Sequence, residues 1–216
     1  MGTLKTIITS IIITIIVLIV LVGGVGFTVN SLVEDKAVQT LYGGRIVFPP
    51  IIQPGDTVSY LKALQKEQDY HIIIDSFGGS AFDTIAIINR ISELQDKGFN
   101  ITTEAYGYTL SGGAFIFIMG DDRIIHDGAA LMFHGAGFAG QFGTRKSLRD
   151  FVLTGKTDLA LDIVTSLAIV DNKFAAEMHE RLGFSYDDIV RWLYAGDYNY
   201  MTSDEALELG VATEGR

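Results

Sequence analysis

The sequence contains no cysteine. That excludes a disulfide framework, a thiolate metal site and a cysteine nucleophile, while leaving the redox compartment open. Basic residues are scarce: 16 Lys and Arg stand against 26 Asp and Glu in 216 residues, a net charge of −10. A chain so acidic lacks the electrostatic footprint that phosphate backbones require, so nucleic acid is not a partner. Proline occurs only three times, at Pro49, Pro50 and Pro54. With abundant Ile, Val, Leu and Phe, that composition argues against disorder. No H-E-x-x-H or similar ligand spacing occurs, and no G-x-x-x-x-G-K-[ST] loop. The sequence therefore predicts no metal site and no cofactor.

What is abundant is apolar residues at the amino end. Residues 6–33 form a run of 28 without a charge, almost solid Ile, Val and Leu over 7–22. About 20 apolar residues span a bilayer core, and no A-x-A cleavage site follows. The reading is an uncleaved single-pass anchor over 1–33, a linker over 34–44 and a soluble domain over 45–216. Lys5 and the terminal amine nearly balance Lys36 and Arg45 across the run. The positive-inside count then leans to an inside amino terminus and an extracytoplasmic domain. The anchor carries one charge, Lys5, so the rest has 15 basic against 26 acidic residues, net −11. It also accounts for part of the mean hydropathy of +0.31.

Beyond the linker, hydrophobic periodicity and glycine turns alternate. Strands are expected over 45–48, 70–75, 101–105, 122–125 and 130–134, the second of them buried on both faces. Helices are expected over 56–68, over 81–97 with Phe82, Ile85, Ile88, Ile91 and Leu94 on one face, over 114–119, 186–194 and 202–209. Residues 135–143 read as a glycine-rich loop, and 145–182 as a long helical stretch broken near Gly155. Such alternation predicts an α/β fold with a largely parallel sheet.

Two glycine turns, at 76–80 and 107–113, each lie between a strand and a helix. Turns of this kind can aim backbone N–H groups at an anion or a developing oxyanion; equally, glycines close tight turns. Ser111, just before a buried helix, is placed as a nucleophile or as an ordinary N-cap. His134 ends an apolar strand next to the glycine loop and can face a cleft. An imidazole base needs an orienting carboxylate; Asp197, Asp187, Asp188 and Asp171 all remain open on residue type alone.

The motifs R-I-V-F-P-P-I at 45–51, I-I-I-D-S-F-G-G-S at 72–80, S-G-G-A-F at 111–115, L-M-F-H at 131–134 and M-T-S-D-E-A-L-E-L-G-V at 201–211 occur in this order. Over residues 44–213 the chain resembles the Clp-type serine peptidases of the ClpP/crotonase superfold. The resemblance implies repeated β-β-α units, a long handle helix within 145–182 and a homo-oligomeric ring. It implies Ser111 as nucleophile, His134 as base, and Gly78, Gly79 and Gly112 as the oxyanion hole. Substrates would be peptides or unfolded proteins. A separate ATPase unfoldase would be a partner were the domain cytoplasmic. Phe77 replaces the family's proline and Gly112 a larger residue. The family's aspartate position falls on Tyr198; a one-residue shift recruits Asp197, the expected third member of the triad.

Other readings remain. S-G-G is similar to the membrane-anchored signal peptide peptidase A branch, whose serine–lysine dyad would make Lys146 or Lys156 the base. A crotonase-branch acyl-CoA enzyme would need carboxylates near the turns, where Asp75 and Glu104 are the candidates. An inactive scaffold would keep the fold for assembly alone. The expectation carried forward is a membrane-anchored serine endopeptidase.

Overall fold

A computed structural model describes residues 38–40, 42–139, 145–148, 152, 155, 161–195 and 199–216. The expected anchor at 1–33, most of the linker, Lys156 and Asp197 lie outside the described residues, and of Lys146 only the backbone is described.

Among the described residues, eight strands form the main sheet. Strand β1 (Gln39–Thr40) turns through Tyr42–Gly44 into antiparallel β2 (Arg45–Val47). Helix α1 (Thr57–Ala63) leads to β3 (Tyr70–Ser76), α2 (Ala81–Asp96) to β4 (Ile101–Leu110), and α3 (Gly112–Phe117) to β5 (Asp122–Ile125) and β6 (Ala130–Phe133). The order is β1-β2-β3-β4-β5-β10, with β6 beside β4 and β9 (Asn199–Thr202) beside β6; β10 is Glu214–Gly215. Strands β2 to β6 run parallel wherever they pair, so they end on the same side. The α/β expectation holds.

Strand β4 serves two neighbours in succession. Thr102–Ala105 pair with β5, and Tyr108–Leu110 with β6. The change of partner coincides with a register shift against β3, where Ile74 faces Ala105 but Ser76 faces Thr109. Gly107 lies in this bulge; a Cβ there would come within 2.9 Å of Asp75 Oδ1. That same oxygen accepts from Tyr108 N–H at 3.0 Å. The bulge re-aims the end of the strand. The expected turn at 107–113 is thereby corrected: 107–110 continue the strand, because Tyr108, Thr109 and Leu110 gain a partner in β6.

The core fills the space between sheet and helices. Ile72, Ile74, Ile101 and Ala105 meet Ile87, Ile88, Ile91 and Leu94 of α2. Every residue of α3 is buried. Phe115 stacks on Phe174 with centroids 3.8 Å apart and meets Phe133 edge-on at 5.4 Å, which joins α3 to β6 and to α4 (Leu161–Leu182). Phe82 is 61% exposed, because α2 turns its Thr84–Ile87–Ile88–Ile91 face inward and Phe82 lies off that face.

Four further expectations are corrected. Strand β3 alternates in burial, with Asp75 exposed and His71 and Ile73 half-buried, so its sheet face is partly open. Helix α1 ends at Ala63, and Leu64 is its C-cap. The loop at 135–143 contains β7 (Gly137–Ala139), which pairs with β8 (Arg145–Ser147) as a hairpin. Position 145 is thus in a strand, and the long helix is described over Leu161–Leu182. Helix α5 (Tyr186–Tyr194) and α6 (Ser203–Glu208) follow as expected, the latter opened by a Thr202–Glu205 capping box. Among the described residues no helix is long and apolar enough to cross a membrane.

Candidate active site

The carboxyl ends of β3, β4 and β6 carry the singled-out residues. In parallel α/β sheets this is the edge where sites are built. The first turn leaves β3 under tight backbone control. Phe77 N–H donates to the Pro50 carbonyl at 2.8 Å, a bond that proline at this position could not make. Ile52 N–H donates to Gly78 O, and Ser80 N–H to Ile52 O, each at 2.8 Å. Gly78 and Gly79 have φ of 79° and 147°. A Cβ on Gly79 would overlap the Ile52 carbonyl. Ser80 then caps α2.

Ser111 has φ 54° and ψ −123°, and is the only non-glycine with positive φ among the described residues. That region lies outside the left-handed helical basin and costs roughly 1–3 kcal/mol. It is imposed from both sides. Ser111 N–H donates to Met132 O of β6 at 2.8 Å, and a Cβ on Gly78 would lie 2.7 Å from both Ser111 Cβ and Gly112 N. The hydroxyl makes no capping bond to α3, so the N-cap alternative is not the one adopted. The sharp strand-to-helix turn with a serine at its apex is the geometry of a nucleophile elbow.

Beneath it, Thr84 of α2 occupies the space that a side chain at Gly112 would need, and Thr84 Oγ1 is itself held by Ser80 O at 2.8 Å. This explains why no larger residue follows the serine. Gly78 N–H is engaged by Ser76 Oγ at 3.2 Å. The Gly79 and Gly112 N–H groups meet no acceptor among the described residues, and Gly112 opens a helix, where N–H groups are free by construction.

His134 follows β6 directly. The register that pairs Leu110 with Met132 brings Ser111 and His134 to adjacent strand ends. His134 Nδ1 is 2.7 Å from Gly135 O. A carbonyl only accepts, so Nδ1 carries the proton and Nε2 of the neutral ring is the basic nitrogen. The turn after it is pinned to two helices. Gly135 N–H donates to Leu193 O of α5 at 2.9 Å, and Ala136 N–H to Asp171 Oδ1 of α4 at 2.6 Å. Tyr194 OH donates to Asp171 Oδ2 at 2.5 Å. Burial, and then the Asp171 charge, push the Tyr194 hydroxyl far above its ordinary pKa, so it remains a neutral donor.

The other carboxylate candidates separate. Asp187 and Asp188 lie in the first turn of α5, where Asp188 accepts from the Ser185 cap at 2.5 Å. Asp171 is 4% exposed and accepts from Ala136 N–H, two residues past His134. Asp197 precedes Asn199, whose register partner is Phe133. Sequence reasoning missed Thr84 and Tyr194: a threonine and a tyrosine inside helices carry no local signal of what they touch.

The carboxylates of the acyl-CoA reading are engaged elsewhere. Asp75 holds the β4 bulge, and Glu104 lies 2.6 Å from His71 Nε2 and 2.8 Å from His126 Nε2, with Arg216 at 3.6 Å. Burial raises the Glu104 pKa, but the His126 hydrogen bond and the His71 charge outweigh it and hold the group below its ordinary value. Among the described residues no group of three or more His, Asp or Glu is arranged to hold a metal.

A model of the Clp protease family matches residues 54–214. No curated protein sequence matches the chain. Among solved structures, a point mutant of ClpP1 from Listeria monocytogenes superposes with a TM-score of 0.62 at 16% identity, covering 80% of this chain and 91% of that one. At that identity the likeness establishes a shared fold.

Proposed function

The chain belongs to the Clp protease family, a family of serine peptidases, and on that premise we propose that it hydrolyses peptide bonds in peptides or unfolded proteins through Ser111 and His134. The observation that carries this reading is the Ser111 backbone: a strained, non-glycine elbow whose hydroxyl caps nothing. Ser111 Oγ attacks the peptide carbonyl, and its proton passes to His134 Nε2. The Gly79 and Gly112 N–H groups receive the oxyanion, Gly78 packs the turn against the serine, and each such donor is worth roughly 3 kcal/mol in the transition state. The ring then returns its proton to the leaving amine, and water completes deacylation. Asp197 is the proposed partner of the imidazole.

The assembly belongs to the proposal as well. Residues 1–33 anchor the chain in a membrane, 34–44 link it to the peptidase domain, and copies of the domain close into a ring. The domain faces outside, where no ATP-driven unfoldase could serve it. Were it cytoplasmic, such an ATPase would be the expected partner. Membrane fractionation with and without residues 1–33 tests the anchor, and sedimentation of the detergent-solubilised chain tests the ring.

A fluorophosphonate probe tests the chemistry. Labelling is expected in wild type and in Lys156→Ala, and lost in Ser111→Ala and His134→Ala. Loss in a Lys146 or Lys156 variant with His134→Ala still labelled would replace the histidine base by a lysine. No labelling of wild type would leave the scaffold or acyl-CoA reading.

A further inference from the structure

The Gly135–Ala136 peptide is bonded at both ends. Its carbonyl accepts from His134 Nδ1 at 2.7 Å, and its N–H donates to Asp171 Oδ1 at 2.6 Å. One planar amide therefore stands between an imidazole and a buried carboxylate. A negative charge at the N–H end polarises the amide and increases the negative charge on its oxygen, which makes that oxygen a stronger acceptor. The carboxylate is fixed in turn: Tyr194 OH donates to its other oxygen, and Asp171 is 4% exposed. Gly135 leaves no room for slack, since a Cβ there would lie 2.6 Å from Tyr194 Cε1 and 3.0 Å from Asp171 Oδ2.

We propose that Asp171 is a positioning residue of the peptidase site, acting on His134 at one remove through the Gly135–Ala136 peptide. It fixes the imidazole tautomer and stabilises the imidazolium formed when Nε2 takes the Ser111 proton. This rests on the reading of Ser111 and His134 as nucleophile and base, and goes beyond it by naming a carboxylate that acts on the ring through a backbone amide. Asp197 remains the proposed direct partner of the imidazole. Among the described residues of α4 and α5, Asp171 and Tyr194 touch the His134–Ala136 turn. Tyr194 stays neutral, and Asp171 supplies negative charge at the turn.

The test is steady-state peptide cleavage by the full chain. Asp171→Asn keeps the shape and an acceptor oxygen but removes the charge. We expect kcat to fall about 10- to 100-fold with KM unchanged, less than the ~10⁴ lost when a directly bonded triad aspartate is neutralised. The acid limb of the kcat/KM profile moves to lower pH, because the imidazolium loses a stabilising anion. A structural role alone would lower the folded fraction and leave the profile of the surviving enzyme in place. An unmoved acid limb, or kcat within about threefold of wild type, overturns the proposal. The same holds if only Asp197→Asn has an effect. Should Asp171→Asn not fold, Tyr194→Phe decides: it frees the carboxylate to move, so kcat should drop about 3- to 10-fold at constant KM, and unchanged kcat overturns the proposal. Ser111→Ala and His134→Ala run alongside; activity surviving in either points to failure of the underlying reading instead.

Discussion

On the serine side of the site, backbone atoms leave the chain one path. Gly78, Gly79 and Gly112 sit where a Cβ would strike the Leu110 or Ile52 carbonyl or Thr84, and Ser111 is forced into a region that glycine normally fills. On the histidine side, the turn is held by hydrogen bonds from side chains and backbone of two helices. Steric constraint rises steeply with overlap and is indifferent to pH. Hydrogen-bonded constraint is graded, and where a carboxylate takes part it depends on charge. The proposed nucleophile is thus held largely by exclusion, and the proposed base by contact.

The sharpest way to break this contrast is Gly78→Ala. Its Cβ would lie 2.5 Å from Leu110 O and 2.7 Å from Gly112 N, so the elbow must shift. Probe labelling of Ser111 should fall about 100-fold or more, the scale of losing an oxyanion donor. Labelling within a few fold of wild type would show that the glycine turn does not constrain the serine.

A smaller effect sharpens it. Gly112→Ala meets one side-chain atom, Thr84 Oγ1, more closely than any other, so the clash is relievable. The single variant should label roughly tenfold more slowly, and Gly112→Ala with Thr84→Ala should recover most of that rate, a coupling of about 1 kcal/mol between touching residues. Strict additivity in the cycle would place the constraint elsewhere.

The smallest effect on activity is expected far from both sides, at Glu104. Its depressed pKa means that the stability it contributes is complete above the ordinary carboxylate value of 4.5 and is lost as pH falls through its lower folded value. Glu104→Gln should therefore lower the urea midpoint at neutral pH and flatten the acid decline below about pH 4.5, with probe labelling of the folded enzyme unchanged. An acid decline as steep as that of wild type would assign the sensitivity to other carboxylates such as Asp83.

The unequal legibility of these regions follows from the same contrast. Ser111, Gly78, Gly79 and Gly112 lie in short local motifs, and steric demands on a turn are written in the residues of the turn. His134 is readable as a strand end. Asp171 reaches Ala136 across 35 positions, and among four aspartates no periodicity singles it out. The β7–β8 hairpin reads as loop and helix in sequence, because R-K-S has little intrinsic strand preference and its pairing with Gly137–Ala139 is a tertiary choice. Likewise, 107–110 read as a turn from the glycine alone, while β6 supplies the partner that makes it a strand. The open face of β3 is hidden in sequence because Ile73 is apolar yet lies beside the His71–Glu104–His126 cluster.

The Ser111 elbow has a consequence for the order in which the molecule becomes itself. The contacts that hold it come from segments synthesised at different times: Gly78 well before the serine, and Met132 well after it. A nascent chain that has folded β3, α2 and β4 still lacks the Met132 carbonyl, and Ser111 is then held from the Gly78 side alone. His134 arrives two residues after Met132, and its tether on α4 later still. On the proposed reading of Ser111 and His134, the site is therefore complete only once β6 and α4 are in place.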